Sequence, residues 1–138
     1  MQFLTKTYAA IYANATCLAA FSDRIHYIEL PLNADYPCIV LDLVGFETIE
    51  NETKTSDMAA FDVAEVQMDI YADTVALCET YAGYVRTALY RDQSQTGYEF
   101  TDITGYSFTV AKDEPETAKV KDGWGYIATL TVKVIYRG

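Results

Sequence analysis

The chain has 138 residues, 51% of them hydrophobic and 22% charged, a balance that excludes a disordered chain and fits one domain, residues 1–138, burying about two-thirds of its unfolded surface. Twenty acids stand against ten bases, for a formal charge of −10 with a single histidine. No basic cluster is present to neutralise a phosphate backbone, which excludes adhesive nucleic-acid binding.

Leu4, Tyr8, Ile11, Ala15 and Leu18 recur at helical spacing in an alanine-rich segment, which predicts a helix over residues 2–20. This N-terminus has no basic flank before an apolar block and so does not read as a signal peptide, and nowhere is there an apolar run long enough to span a membrane. FSDRIHYIELPLNADYP, with Pro31 and Pro37, reads as an irregular extended connection holding a short strand near Ile25–Ile28. PCIVLDLVGFETIE opens as a nearly continuous apolar run, so its strand is expected to be buried on both faces at first and exposed later.

MAAFDVAEVQMDIY reads as the returning strand. Phe61 and Val63 share one phase while Val66, Met68 and Ile70 share the other, which predicts a bulge or a change of partner near Ala64–Glu65. The rhythm then changes at IYADT, where Asp73 or Thr74 can cap a helix. Val75, Cys78, Ala82, Val85 and Leu89 form its apolar stripe, and Arg86 and Arg91 suit its C-terminal end. YEFTDITGYSFTVAKDE and GYIATLTVKVIYR follow as two strands, the second strongly alternating.

The order predicts an α+β domain, with a mostly antiparallel sheet and two helices packed on one face. Long hairpin arms with polar tips are expected at residues 49–58 and 111–123. Twelve tyrosines suit half-buried strand positions and protein interfaces alike. Cys17, Cys38 and Cys78 sit among apolar neighbours without metal-ligand spacing and read as small buried thiols in a reducing compartment.

Chemistry is sparse. His26, in DRIHYIEL, has nothing motif-like around any serine, and a structural role is favoured over a catalytic triad. Asp42 interrupts the run CIVLDLVGF; a buried carboxylate there could serve as acid or base, but a half-exposed position or a pair with Arg24 or Lys133 is favoured. Asp62 and Glu65 point to opposite faces of a regular strand, leaving Glu65 and Asp69 short of a metal site. The glycines are scattered, and GWG reads as a turn in the last hairpin and not as a phosphate cradle. No catalytic, cofactor or metal site is expected.

Several features in order resemble one family. The alanine-rich first helix, SDRIHYIELPLNADYPCIVLDLVG with Asp23–Ile25 and Pro37–Val40, AEVQMDIYADTVALCETYAGYVRTAL with Tyr71 through Leu89, and the terminal strand pair are similar to the tail-completion proteins of long-tailed bacteriophages. These are also called tail terminators or head–tail joining proteins. The resemblance implies a non-enzymatic virion protein, assembled in the bacterial host cytoplasm. It would form a ring, typically of six subunits, at the head-proximal end of the tail tube. The ring ends tube growth and joins tail to head, so its partners would be itself, the tube protein and the head-completion (stopper) protein of the neck. An acidic bore would let DNA pass without binding. Glu50, Glu52 and Asp57 on the first arm, and Asp113, Glu114 and Glu116 on the second, are candidate bore or docking contacts. A neck protein on the portal side is the nearest alternative. A small enzyme or ligand-binding domain built on Asp42, His26 and nearby tyrosines is a more distant one.

Overall fold

The computed structural model describes residues 2–31, 34–49, 61–110 and 125–137. In chain order the elements are α1 (Phe3–Ala13), α2 (Ala15–Phe21), β1 (Ile25–Tyr27), β2 (Cys38–Ile49), β3 (Phe61–Ala72), α3 (Val75–Leu89), β4 (Tyr98–Val110) and β5 (Tyr126–Tyr136). The strands form one sheet in the order β1-β2-β3-β5-β4. All neighbours are antiparallel except β1, which runs parallel to β2. This is the α+β layout that the element order predicts. The connections expected as arms, at 49–58 and 111–123, lie outside the described residues apart from Ile49.

Alternation along the strands separates two faces. Ala64, Val66, Met68, Ile70 and Ala72 of β3 face the helices with Ala128, Leu130, Val132 and Val134 of β5. Ile39 and Leu41 of β2 and Phe100 of β4 complete the sheet side of that core. Phe3, Ala10 and Ile11 of α1, Cys17 and Phe21 of α2, and Cys78, Ala82, Val85 and Leu89 of α3 close it from above. Three helices therefore cover one face, where two were expected.

The extra helix comes from Asn14. Its backbone is extended and its Oδ1 accepts from Cys17 N at 3.1 Å, capping α2 and breaking the predicted 2–20 helix in two. The buried face of α1 also differs from the predicted stripe: Phe3, Thr7, Ala10 and Ile11 are inside, while Leu18 is exposed. Thr7 tolerates full burial because its hydroxyl donates to Phe3 O at 2.7 Å. Thr74, not Asp73, caps α3, its Oγ1 accepting from Leu77 N at 3.1 Å. Cys78, Ala82, Val85 and Leu89 follow the expected stripe, but Val75 stays exposed.

The predicted irregularity near Ala64–Glu65 is misplaced. β3 keeps one register with β5 along its whole length, and Phe61 and Val63 simply occupy the face away from the helices. The bulge lies on the partner strand, where the register shifts between Leu43 and Gly45 opposite Val66 and Glu65. Cys38, Ile39, Val40 and Leu41 are buried on both faces, as the apolar run requires. The reason is local: Leu30, Ala34 and Tyr36 of the irregular connection cover Cys38, Val40, Tyr71 and Ile127 on the second face. Beyond that cover the second face carries Asp42, Gln67, Asp69, Thr129 and Thr131, all half-buried, and further along Val63, Ile135 and Phe61.

Candidate functional site: two open sheet edges

Glu50, Glu52, Asp57, Asp113, Glu114 and Glu116 lie outside the described residues. The remaining candidates do not converge. His26 sits on β1 opposite Val40, and partial burial holds its imidazole below the ordinary value against a smaller opposing pull from Asp23. Asp42 accepts from its neighbour Leu43 N at 2.8 Å. Arg24 does not reach it, because its guanidinium donates to Pro37 O at 2.8 Å and Ala20 O at 2.9 Å. Lys133 does not pair with it either, and Arg137 and Glu99 form an ion pair elsewhere, at 4.0 Å. Asp62 accepts from Thr48 Oγ1 at 2.7 Å, and Asp69 accepts from Thr129 Oγ1 at 2.8 Å. Among the described residues no three or more His, Cys, Asp or Glu side chains are grouped to hold a metal ion. No described helix is long and apolar enough to cross a membrane.

The three cysteines are free and buried. Burial pushes Cys17 and Cys78 up to about 11 and Cys38 up to about 12. Such thiols stay protonated and make poor nucleophiles.

What the surface does offer is a pair of open strand edges. On one side β4 is the last strand of the sheet. Tyr106 and Phe108 project from it on the helix side, 54% and 40% exposed, with their rings edge to face at 5.1 Å. Beside them a groove of about 380 Å³ runs between α3 and β4, lined by Ala82, Arg86, Ile103, Thr104, Gly105, Tyr106 and Leu130. The small side chain of Ala82 leaves this space, and the Gly105 backbone lines it. Partial burial raises the Tyr106 phenol, and the Glu79 carboxylate nearby adds to the shift.

On the other side β1 covers β2 only at Ile39–Leu41. Ile28 N makes the last bond to Leu41 O at 2.7 Å, and Glu29 N then turns back to Tyr27 O at 2.7 Å. This γ-turn gives Ile28 a φ of 69°, a strained conformation for a β-branched residue, and leads the chain off the edge. Among the described residues no strand lies on the outer side of residues 42–49 of β2. Leu43 and Phe46 lie there on the helix side, 42% and 49% exposed. With residues 2–5 at the start of α1 they line a second groove, of about 510 Å³, in which Phe46 meets Phe3 at a ring distance of 6.1 Å.

No protein-family model matches the chain, and no curated protein matches it. Among solved structures, a chain described as "Virion of native gene transfer agent (GTA) particle" shares its architecture, with a TM-score of 0.59 over 96% of this chain and 92% of that one, at 15% identity. The likeness is one of fold.

Sheet edges are natural surfaces for a ring contact, but which strands lie outermost is not written in the residue pattern. A partial signal was present: neither YEFTDITGYSFTV nor DLVGFETI contains a lysine or a proline, the residues that ordinarily blunt an exposed edge.

Proposed function

We propose that this chain, acting as one domain over residues 1–138, is a structural subunit of a virion and forms one segment of a ring at the head-proximal end of a tail tube. The ring, six-fold by the family resemblance, ends tube growth and joins tail to head. The observation that carries this reading is the pair of open, unlike edges on opposite sides of one sheet. A closed ring of identical subunits needs two different surfaces that fit each other, and sheet edges supply them. The fold shared with a virion chain over nearly the whole of both chains supports the same reading.

The partners are further copies of the chain, the tube protein and the head-completion protein of the neck. The charge of −10 suits a passage that DNA crosses without adhesion, with Glu50, Glu52, Asp57, Asp113, Glu114 and Glu116 as candidate bore or docking contacts. The role is non-enzymatic and needs no metal or cofactor.

Deleting the gene tests this. Electron micrographs are expected to show headless, overlong or unjoined tails, and a tagged copy is expected on purified tails. Normal infectious particles would refute the reading, and a tag found on purified heads alone would move the subunit to the portal side. Replacing His26 and Asp42 together is expected to leave joining intact; failure of that variant, still folded, would favour a ligand-binding or catalytic role.

A further inference from the structure

We infer that copies of this chain join edge to edge, the open stretch of β2, residues 42–49, lying antiparallel beside β4 of the next copy. Leu43 and Phe46 of one copy then pack against Tyr106 and Phe108 of its neighbour. The inference names the contact within the proposed ring, and rests on that reading for closure of the ring.

Strand direction supports it. Every neighbour from β2 to β4 is antiparallel, so β2 and β5 run one way and β3 and β4 the other. A neighbour in the same orientation therefore brings its β2 to β4 in the antiparallel sense that the sheet already uses. Among the described residues nothing fills the space for it. β1 occupies the outer side of β2 only as far as Leu41 and leaves at the γ-turn of Ile28. Strain held at the corner where that lane opens is what a position fixed by its surroundings shows.

Side chains match as well. Phe46 is paired with Ala64 and Tyr106 with Leu130, so both rings stand on the helix side of the sheet. The ladders set Phe46 level with Phe100 and Tyr106 level with Leu41, so the two rings become cross-strand neighbours when adjacent copies are staggered along the strands by about four residues, roughly 13 Å. Each edge also has both a knob and a hole. Phe46 would enter the groove at Ala82, Gly105 and Leu130, and Tyr106 would enter the groove beside Phe3 and Leu43. A twofold contact of β4 with β4 would leave Leu43 and Phe46 uncovered, as would β2 with β2 leave Tyr106 and Phe108. Only the head-to-tail arrangement covers both sets.

The test uses two full-length variants, Phe46→Asp and Tyr106→Asp, each changing an exposed side chain. Native mass spectrometry is run on wild type, on each variant and on their equimolar mixture. Wild type is expected to form a closed oligomer, each variant alone to need at least about 30-fold more protein to associate, and the mixture to give a heterodimer and nothing larger. Each variant keeps one intact edge, so only a head-to-tail contact gives that result. Where wild type assembles, either variant assembling as it does, or a mixture without heterodimer, overturns the inference.

If wild type stays monomeric in solution, benzoylphenylalanine at Phe46 in intact particles decides. Adducts to residues 82–86 or 103–108 of a second copy support the contact, and their absence overturns it. The tagged copy on purified tails judges the ring's location separately. Tails without the tag but with a heterodimer or adduct would remove the location alone, and tagged tails with neither would remove this contact alone.

Discussion

Raising the pH is expected to destabilise this domain through its cysteines. Cys17, Cys38 and Cys78 are each at most 1% exposed, and burial takes their thiols from an ordinary 9.0 to about 11, about 12 and about 11. The folded state thus holds its thiol protons more tightly than the unfolded chain. The stability this gives is complete below pH 9 and is lost as pH rises through the folded values. At about pH 10 an unfolded thiol has lost most of its proton while a folded one keeps it, a difference worth about 1.4 kcal/mol for each cysteine and ~4 kcal/mol for the three. The assay is urea unfolding at about pH 7 and about pH 10, for wild type and for a variant with all three cysteines changed to alanine. The two proteins differ only at the cysteines, so the difference between the two pH dependences isolates the thiols. Wild type should lose ~4 kcal/mol more than the variant over that interval. Cys17→Ala alone should narrow the loss by about 1.4 kcal/mol, which keeps the test available if the triple variant folds poorly. Parallel pH profiles would refute the reasoning.

Thr74→Ala removes the oxygen that accepts from Leu77 N and is expected to lower stability by about 1 kcal/mol, a fall of a few degrees in Tm by thermal unfolding. Thr74→Ser should restore most of it. Ile28→Asn places a residue that tolerates positive φ in the γ-turn and is expected to raise the urea midpoint, by about 1 kcal/mol in stability. A lower midpoint would show that the turn holds no strain.

The core of this fold was written plainly in the sequence and its surface was not. Cys78, Ala82, Val85 and Leu89 recur at helical spacing, and the inward residues of β5 alternate without a break. Those patterns are set by burial, which leaves a strong trace in residue type. The division of α1 from α2 is harder to read, because alanines flank Asn14 on both sides and a single side-chain cap outweighs them. The misplaced irregularity has a different cause. Phe61 and Val63 are apolar on the far face, so hydrophobicity suggested a slip in β3 while the extra residue belonged to β2 near Gly45. Periodicity reports which side chains are covered and says nothing of which strand carries the surplus. The open edges were invisible for a similar reason: whether Phe46 and Tyr106 have neighbours depends on where β1 ends and on which strand lies outermost.

The strand order has a consequence for how the molecule comes into being. β5, the final described element along the chain, occupies the place between β3 and β4, so a nascent polypeptide that has delivered β4 still has no sheet for it to join. Both strands must wait with bare flanks until β5 threads between them. Long-range pairing of this kind is slow and leaves intermediates prone to clumping. A ribosome stalled near residue 125 would thus yield a sticky fragment lacking the strand that joins β3 to β4, and cells making this protein in quantity would benefit from a chaperone that shields it until β5 emerges.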